Sequence, residues 1–167
     1  PEGQRHVFGH FGSGSFAGAA TFLSSHFVVN PFVWQRERKA LQLLGLDPKI
    51  FFSDLAYLTL PYDMLINQQV ERERSGNRHG SCGLGINETM TRCIGIAPYD
   101  KREKFITSPK DALSKEKRIA WYKKVRDSYA RKRIEELNLK PDKNFFQIES
   151  DVLVENFNNA VEEFNAH

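Results

Sequence analysis

Cysteine is scarce: Cys82 and Cys93 are the only two in 167 residues. Two thiols cannot build a disulfide framework, and they read most simply as reduced groups in an intracellular, cytoplasmic protein. Long apolar runs are also missing. Phe27-Val28-Val29 and Ile50-Phe51-Phe52 are far too short to cross a bilayer. No basic start followed by an apolar run appears, so no secretory signal is expected. The five histidines (His6, His10, His26, His79, His167) show no pairing with cysteines or carboxylates at metal-ligand spacing, so no metal site is expected. Internal repeats and low-complexity stretches are absent. Methionine is absent from the first position, where Pro1 stands, and the expectation is a piece of a longer protein.

What is present is ordinary for a folded domain: 40% hydrophobic, 27% charged and 12% aromatic residues. That balance excludes a disordered tail, a collagen-like repeat and a coiled coil. The net charge of +3 hides three zones. Residues 1–100 carry 9 basic and 9 acidic side chains, residues 101–133 carry 13 and 4, and residues 134–167 carry 2 and 8. The basic and acidic zones either pair with each other across a helical hairpin or offer a basic surface to a phosphorylated ligand or nucleic acid. The basic zone lacks stacked aromatics in an RNA-reading arrangement, so a nucleic-acid partner would rest on charge alone and is not expected.

Patterning places the elements. Thr21-Phe22-Leu23, Phe27-Val28-Val29 and Ile50-Phe51-Phe52 read as strands. Asn30-Pro31 opens a helix with an N-cap and a proline at its first position, with a stripe of Phe32, Val33, Arg36, Ala40, Leu43 and Leu44 and a C-cap at Gly45. A second helix runs from Pro61 to about Arg74. Ser108-Pro109-Lys110-Asp111 is another helix opener. Residues 115–137 form a basic amphipathic helix with Ile119, Tyr122, Val125, Tyr129, Ile134 and Leu137 on one face and Lys117, Lys124 and Arg131 opposite. Asn144 to Ile148 reads as a strand. The last helix, capped by Ser150 or Asp151, carries Leu153, Phe157, Ala160, Val161 and Phe164 on one face. The fold class is therefore α/β: part of a mixed or parallel sheet, flanking helices, and a helical segment at the C-terminal end. Residues 1–100 are expected to form the α/β portion, which the resemblance described below makes the nucleotide-binding one, and residues 101–167 a helical basic and acidic segment packed on it, together one domain of a larger protein.

Two segments could carry chemistry. In His79-Gly80-Ser81-Cys82-Gly83-Leu84-Gly85, closely spaced glycines allow an anion-binding nest of backbone N–H groups, with Ser81 as a hydroxyl donor and Arg78 and Arg92 flanking. The same pattern also suits a plain tight turn. It is not a Walker A loop, because Gly80 lacks the following Lys-Ser/Thr. In His10-Phe11-Gly12-Ser13-Gly14-Ser15, His10 could be a proton donor, a phosphate contact or a structural hydrogen-bonding group, with Ser13 and Gly14 lining the same place. No nucleophile elbow is present.

Taken in series, these segments resemble the middle of adenylosuccinate synthetase. That family has H-L-x-P-S-G, then G-N-G-V-V-x-x-P opening a helix, a helix beginning P-Y-H, and the loop G-T-T-x-x-G-I-G-P. Here the corresponding segments are His10-Phe11-Gly12-Ser13-Gly14, Ser24-Ser25-His26-Phe27-Val28-Val29-Asn30-Pro31, Pro61-Tyr62-Asp63 and Gly80-Ser81-Cys82-Gly83-Leu84-Gly85-Ile86-Asn87, along residues 8–100. Ser81 and Cys82 replace the paired threonines, Asp63 the histidine, and Glu88 the proline. The family's G-D-E-G-K-G-K and N-x-G-H-T segments are missing.

The resemblance implies part of a homodimeric ligase that joins aspartate to a purine nucleoside monophosphate with GTP or ATP hydrolysis and Mg2+. It implies that Gly80, Ser81, Cys82 and Gly83 hold the 5′-phosphate. Arg92 is the nearest match to an arginine donated across the dimer. The catalytic residues, the triphosphate site and the metal ligands would lie mostly outside this chain, which alone is expected to be inactive. The readings of a different class are a basic nucleic-acid-binding module and a structural or oligomerising domain.

Overall fold

A computed structural model of the chain describes residues 5–53, 55–74, 76, 80–94, 114–147 and 152–166. A 3-10 turn, Ser13–Ala17, leads into β1 (Thr21–Leu23) and β2 (Val28–Val29). Helix α1 (Pro31–Leu43) begins where the sequence predicts: the Asn30 side chain accepts from the amides of Phe32 and Val33 at 3.1 and 3.3 Å, with Pro31 at the first position. It ends at Gly45, where φ is +77°. The Gly45 amide bonds to the Gln42 carbonyl and the Leu46 amide to that of Leu41, closing the last turn. Then come β3 (Ile50–Phe52), β4 (Tyr57–Leu58) and α2 (Pro61–Glu73).

The strands pair in parallel, β1 with β3 and β2 with β4, with Phe22 opposite Phe51 and Val29 opposite Leu58. Parallel partners need a crossover, and α1 lies within the connection of both pairs. The expected α/β architecture is met, as two two-stranded ladders among the described residues.

The remaining described elements are helical: α3 (Ile86–Ile94), α4 (Lys115–Lys124), a π-helical turn Val125–Ala130, α5 (Arg131–Glu136) and α6 (Val152–Asn165). The basic helix expected over 115–137 is present with that wider turn inside it. Tyr122, Val125, Tyr129 and Ile134 are buried as its periodicity predicts, and Lys117, Lys124 and Arg131 are exposed. The wider turn places the adjacent Tyr129 and Ala130 both in the core. In α6, Phe157, Ala160, Val161 and Phe164 are buried.

Some expectations are corrected. The buried face of α1 is Trp34, Glu37, Arg38 and Leu41, whereas Leu43 is 89% exposed. An apolar stripe misleads here because the face carries two charged residues with partners. Arg38 donates to Asp47 at 3.0 Å and to Glu163 at 3.1 Å. The segment 144–147 is a turn and not a strand: the Phe145 and Gln147 amides bond to the carbonyls of Asp142 and Asn144. Its aromatics fill the core by packing Phe145 on Tyr62, 6.1 Å between ring centroids, while the backbone is satisfied locally. Helix α3, directly after the glycine-rich loop, is an element that the pattern did not indicate. The opener at Ser108-Pro109 and the caps at Ser150 and Asp151 lie outside the described residues.

One hydrophobic cluster draws on both halves, with Trp34, Leu58, Tyr62 and Ile66 meeting Tyr122, Phe157 and Phe164. Trp34 stands edge-on to Phe164 at 5.0 Å, and Phe52 stacks on the same ring at 4.4 Å. Arg118 of α4 donates to Asn158 and Glu162 of α6 at 2.8 and 2.7 Å, one ion pair between the basic and acidic segments.

Candidate functional site

The glycine-rich loop bridges α2 and α3. Gly80, Gly83 and Gly85 have φ of 69°, 67° and 75°, the left-handed region open to glycine. A Cβ on Gly85 would stand 2.7 Å from the Asp63 carbonyl carbon and the Met64 nitrogen, so the loop lies flush on the first turn of α2. Side-chain amides grip it. Asn67 donates to the Ser81 hydroxyl at 3.1 Å and accepts the Gly85 N–H at 3.3 Å. Gln68 donates to the Gly83 carbonyl at 3.1 Å, and Asn30 to the Leu84 carbonyl at 3.1 Å. The carbonyls are thereby drawn inward. The N–H groups of Ser81, Cys82 and Gly83 meet no acceptor among the described residues. Gln68, Glu71, Arg72, Gly80, Ser81, Cys82 and Gly83 line an open cavity of about 540 Å³. The loop then runs into the N-terminus of α3, whose dipole favours an anion.

A buried ion pair underlies the loop. The Asp63 carboxylate accepts the Leu60 amide at 2.9 Å, capping α2, and takes Arg92 Nε and Nη2 at 2.8 Å each. Arg92 Nη2 also donates to the Leu58 carbonyl at 2.7 Å. Both side chains are 0% exposed. Burial works against the guanidinium charge, yet Asp63 beside it holds the Arg92 pKa above its ordinary value. The Thr89 hydroxyl lies 3.0 Å from Asp63 and 2.9 Å from Thr59. One residue away, Glu88 takes Arg133 Nε at 2.9 Å and the Tyr129 hydroxyl at 3.0 Å, tying α3 to α5.

His10 sits behind Asn30. Its Nε2 accepts the Asn30 amide at 2.9 Å, which puts the ring proton on Nδ1. Burial pushes its pKa down to about 4, and the nearby Glu37 opposes that. The Glu37 carboxylate accepts the amides of Gly9 and His10 at 2.9 and 2.6 Å, pinning this segment to α1.

The residues singled out in the sequence therefore separate. Gly80, Ser81, Cys82 and Gly83 are together on the cavity, and Cys82 is an exposed free thiol. His10 reaches the loop through Asn30, which bonds to both. Ser13 and Gly14 are exposed on the 3-10 turn and make no hydrogen bond to the loop among the described residues. Arg92 lies beneath the loop in its ion pair and does not line the cavity. Arg78 and His79 fall outside the described residues. Sequence reasoning missed Asn30 as a loop ligand, Asn67, Gln68, Glu37 and Arg72. The only available signal was a run of amides, Asn67-Gln68-Gln69, on a helix that otherwise needs apolar residues. Among the described residues, no group of three or more His, Cys, Asp and Glu side chains is placed to hold a metal ion. No described helix is long and apolar enough to cross a membrane.

The loop, its amide clamp and the helix behind it form the candidate site of an α/β segment, and known proteins give a comparison. No family model matches the chain. It is 39% identical over 87 residues to the adenylosuccinate synthetase of Dehalococcoides mccartyi, covering 52% of this chain and 19% of that protein. It is 38% identical over 68 residues to the adenylosuccinate synthetase of Gloeobacter violaceus, covering 40% and 16%. With the Cyanothece sp. adenylosuccinate synthetase it shares 30% over 103 residues, covering 59% and 21%. The resemblance carried by the motifs is borne out: the chain is similar to part of adenylosuccinate synthetase. It matches 16% to 21% of the length of these relatives.

Proposed function

We propose that this chain is the monophosphate-holding part of an adenylosuccinate synthetase-like ligase, which joins aspartate to a purine nucleoside monophosphate with GTP or ATP hydrolysis. The observation that carries the reading is the open cavity at the Gly80–Gly85 loop. There the Ser81 hydroxyl, held by Asn67 at 3.1 Å, lies with the N–H groups of Ser81, Cys82 and Gly83, which meet no acceptor among the described residues and would meet phosphate oxygens. Cys82 contributes its amide, since a thiol is a poorer donor than the hydroxyl that the family carries. Arg92 acts from beneath: with Asp63 it fixes α3 and the loop's exit. His10 acts one residue further back by orienting Asn30.

Among the described residues no group of three or more His, Cys, Asp and Glu side chains is placed to hold Mg2+; in this reading its ligands, with those for the triphosphate and aspartate, come from other parts of a dimeric protein. This division of labour suits phosphoryl transfer, which relies on positioning and charge from several segments at once.

Ser81→Ala in the complete protein tests the reading. Calorimetry with inosine 5′-monophosphate is expected to show binding weakened roughly tenfold, the scale of one lost hydrogen bond to a charged group, with an unchanged circular dichroism spectrum. Unchanged affinity would remove the phosphate-loop assignment. The 167-residue chain alone is expected to make no ligase product from aspartate, inosine monophosphate and GTP or ATP. Turnover by that chain would refute the division of labour.

A further inference from the structure

We infer that Arg72 of α2 is the cationic contact of the phosphate held by the Gly80–Gly83 loop; the inference rests on the reading above. Arg72 lines the same cavity as Gly80, Ser81, Cys82 and Gly83, and its side chain is exposed there. It lies one helical turn after Gln68, so both project from one face of α2. Gln68 already holds the loop through the Gly83 carbonyl at 3.1 Å.

The acids on either side of Arg72 are engaged with other groups. Glu71 pairs with Arg74 at 3.0 Å. Glu73 accepts the Lys140 amide at 2.6 Å and the Gln69 side chain. Arg72 itself makes no ion pair among the described residues. Of the residues that line the cavity, Arg72 is the one basic side chain. Arg92, the arginine that the sequence nominated, is committed to Asp63. A guanidinium suits the task, because its planar fork of donors matches two oxygens of one phosphate. Ser81 and the loop amides would take the remaining oxygens.

Binding of inosine 5′-monophosphate and of inosine to the complete protein, by calorimetry across a range of salt, tests this. The wild type is expected to prefer the monophosphate, and Ser81→Ala to weaken that preference. Arg72→Ala is expected to lose about tenfold in monophosphate affinity, to leave inosine binding unchanged, and to flatten the dependence of affinity on salt. Arg72→Lys is expected to recover part of the loss. Arg72→Gln, which keeps the stem of the side chain, decides the matter if the alanine variant folds poorly.

Equal binding of monophosphate and nucleoside by the wild type would overturn both the phosphate reading and the inference. Monophosphate preference that is weakened by Ser81→Ala and untouched by Arg72→Ala and Arg72→Gln would overturn the assignment of Arg72 and leave the loop standing.

Discussion

His10 is a side chain that the fold holds neutral, and its position has a consequence for pH. It is 6% exposed and its pKa is about 4, against an ordinary 6.5. Between those values the unfolded chain takes up a proton that the folded chain refuses. Stability from this residue is present in full above pH 6.5 and is lost as the pH falls to about 4. The loss amounts to about 3 kcal/mol. Urea midpoints of the wild type are therefore expected to fall between pH 7 and pH 4 more steeply than those of His10→Gln; equal slopes would exclude His10 as the cause. Gly85 makes the second prediction at this scale. Gly85→Ala combines a positive φ with a Cβ 2.7 Å from the α2 backbone. A loss of at least about 2 kcal/mol in thermal or urea unfolding is expected, because backbone cannot yield as a flexible side chain does. An unaltered midpoint would mean that the loop does not rest on α2.

At the scale of elements, α3 is held by polar groups more than by apolar ones. Asp63, Thr59 and Thr89 surround Arg92 on one side, and Arg133 and Tyr129 receive Glu88 on the other. Removing one member leaves a buried charge without its counterpart, which costs about 3–5 kcal/mol. Arg92→Met is expected to fall in that range. The double variant Asp63→Leu, Arg92→Met is expected to be more stable than Arg92→Met alone, since it leaves no charge stranded. A double variant less stable than the single one would show that the pair contributes more than neutralisation. The same network explains why helix patterning overlooked α3. Its buried positions are Glu88, Thr89, Thr91, Arg92 and Cys93, residues that a search for apolar periodicity discounts.

At the scale of the whole molecule, one core joins the strand-bearing half to the helical half, and α6 closes it. Phe157 is 1% exposed and meets Phe32 and Tyr122 edge-on at 5.5 and 5.7 Å. Phe157→Ala is expected to cost about 3–5 kcal/mol, from lost burial and the cavity left behind. Because the two halves share this core, the loss is expected in a single unfolding transition. Two separate transitions would show that the halves fold independently.

Much of the fold was legible in the order of the residues alone. Asn30-Pro31 and Gly45 set the ends of α1, Pro61 set the start of α2, and the alternation of strands and helices marked the class. These features act within a few residues, through caps, fixed φ and chain stiffness, so the sequence by itself determines them. The glycines at 80, 83 and 85 likewise marked a loop able to turn its amides toward an anion. Tertiary structure alone decided which arginine lines the cavity at that loop. Arg92 and Arg72 carry the same charge, and only packing shows that Asp63 takes one while the other lies along the cavity. It also decided that α1 turns Glu37 and Arg38 inward, because a charged residue is buried only where it is paired or hydrogen-bonded, and Asp47 is the one partner of Arg38 close by in sequence. The others, Glu163 for Arg38 and the amides of Gly9 and His10 for Glu37, lie 125, 28 and 27 residues away, beyond the reach of any local pattern.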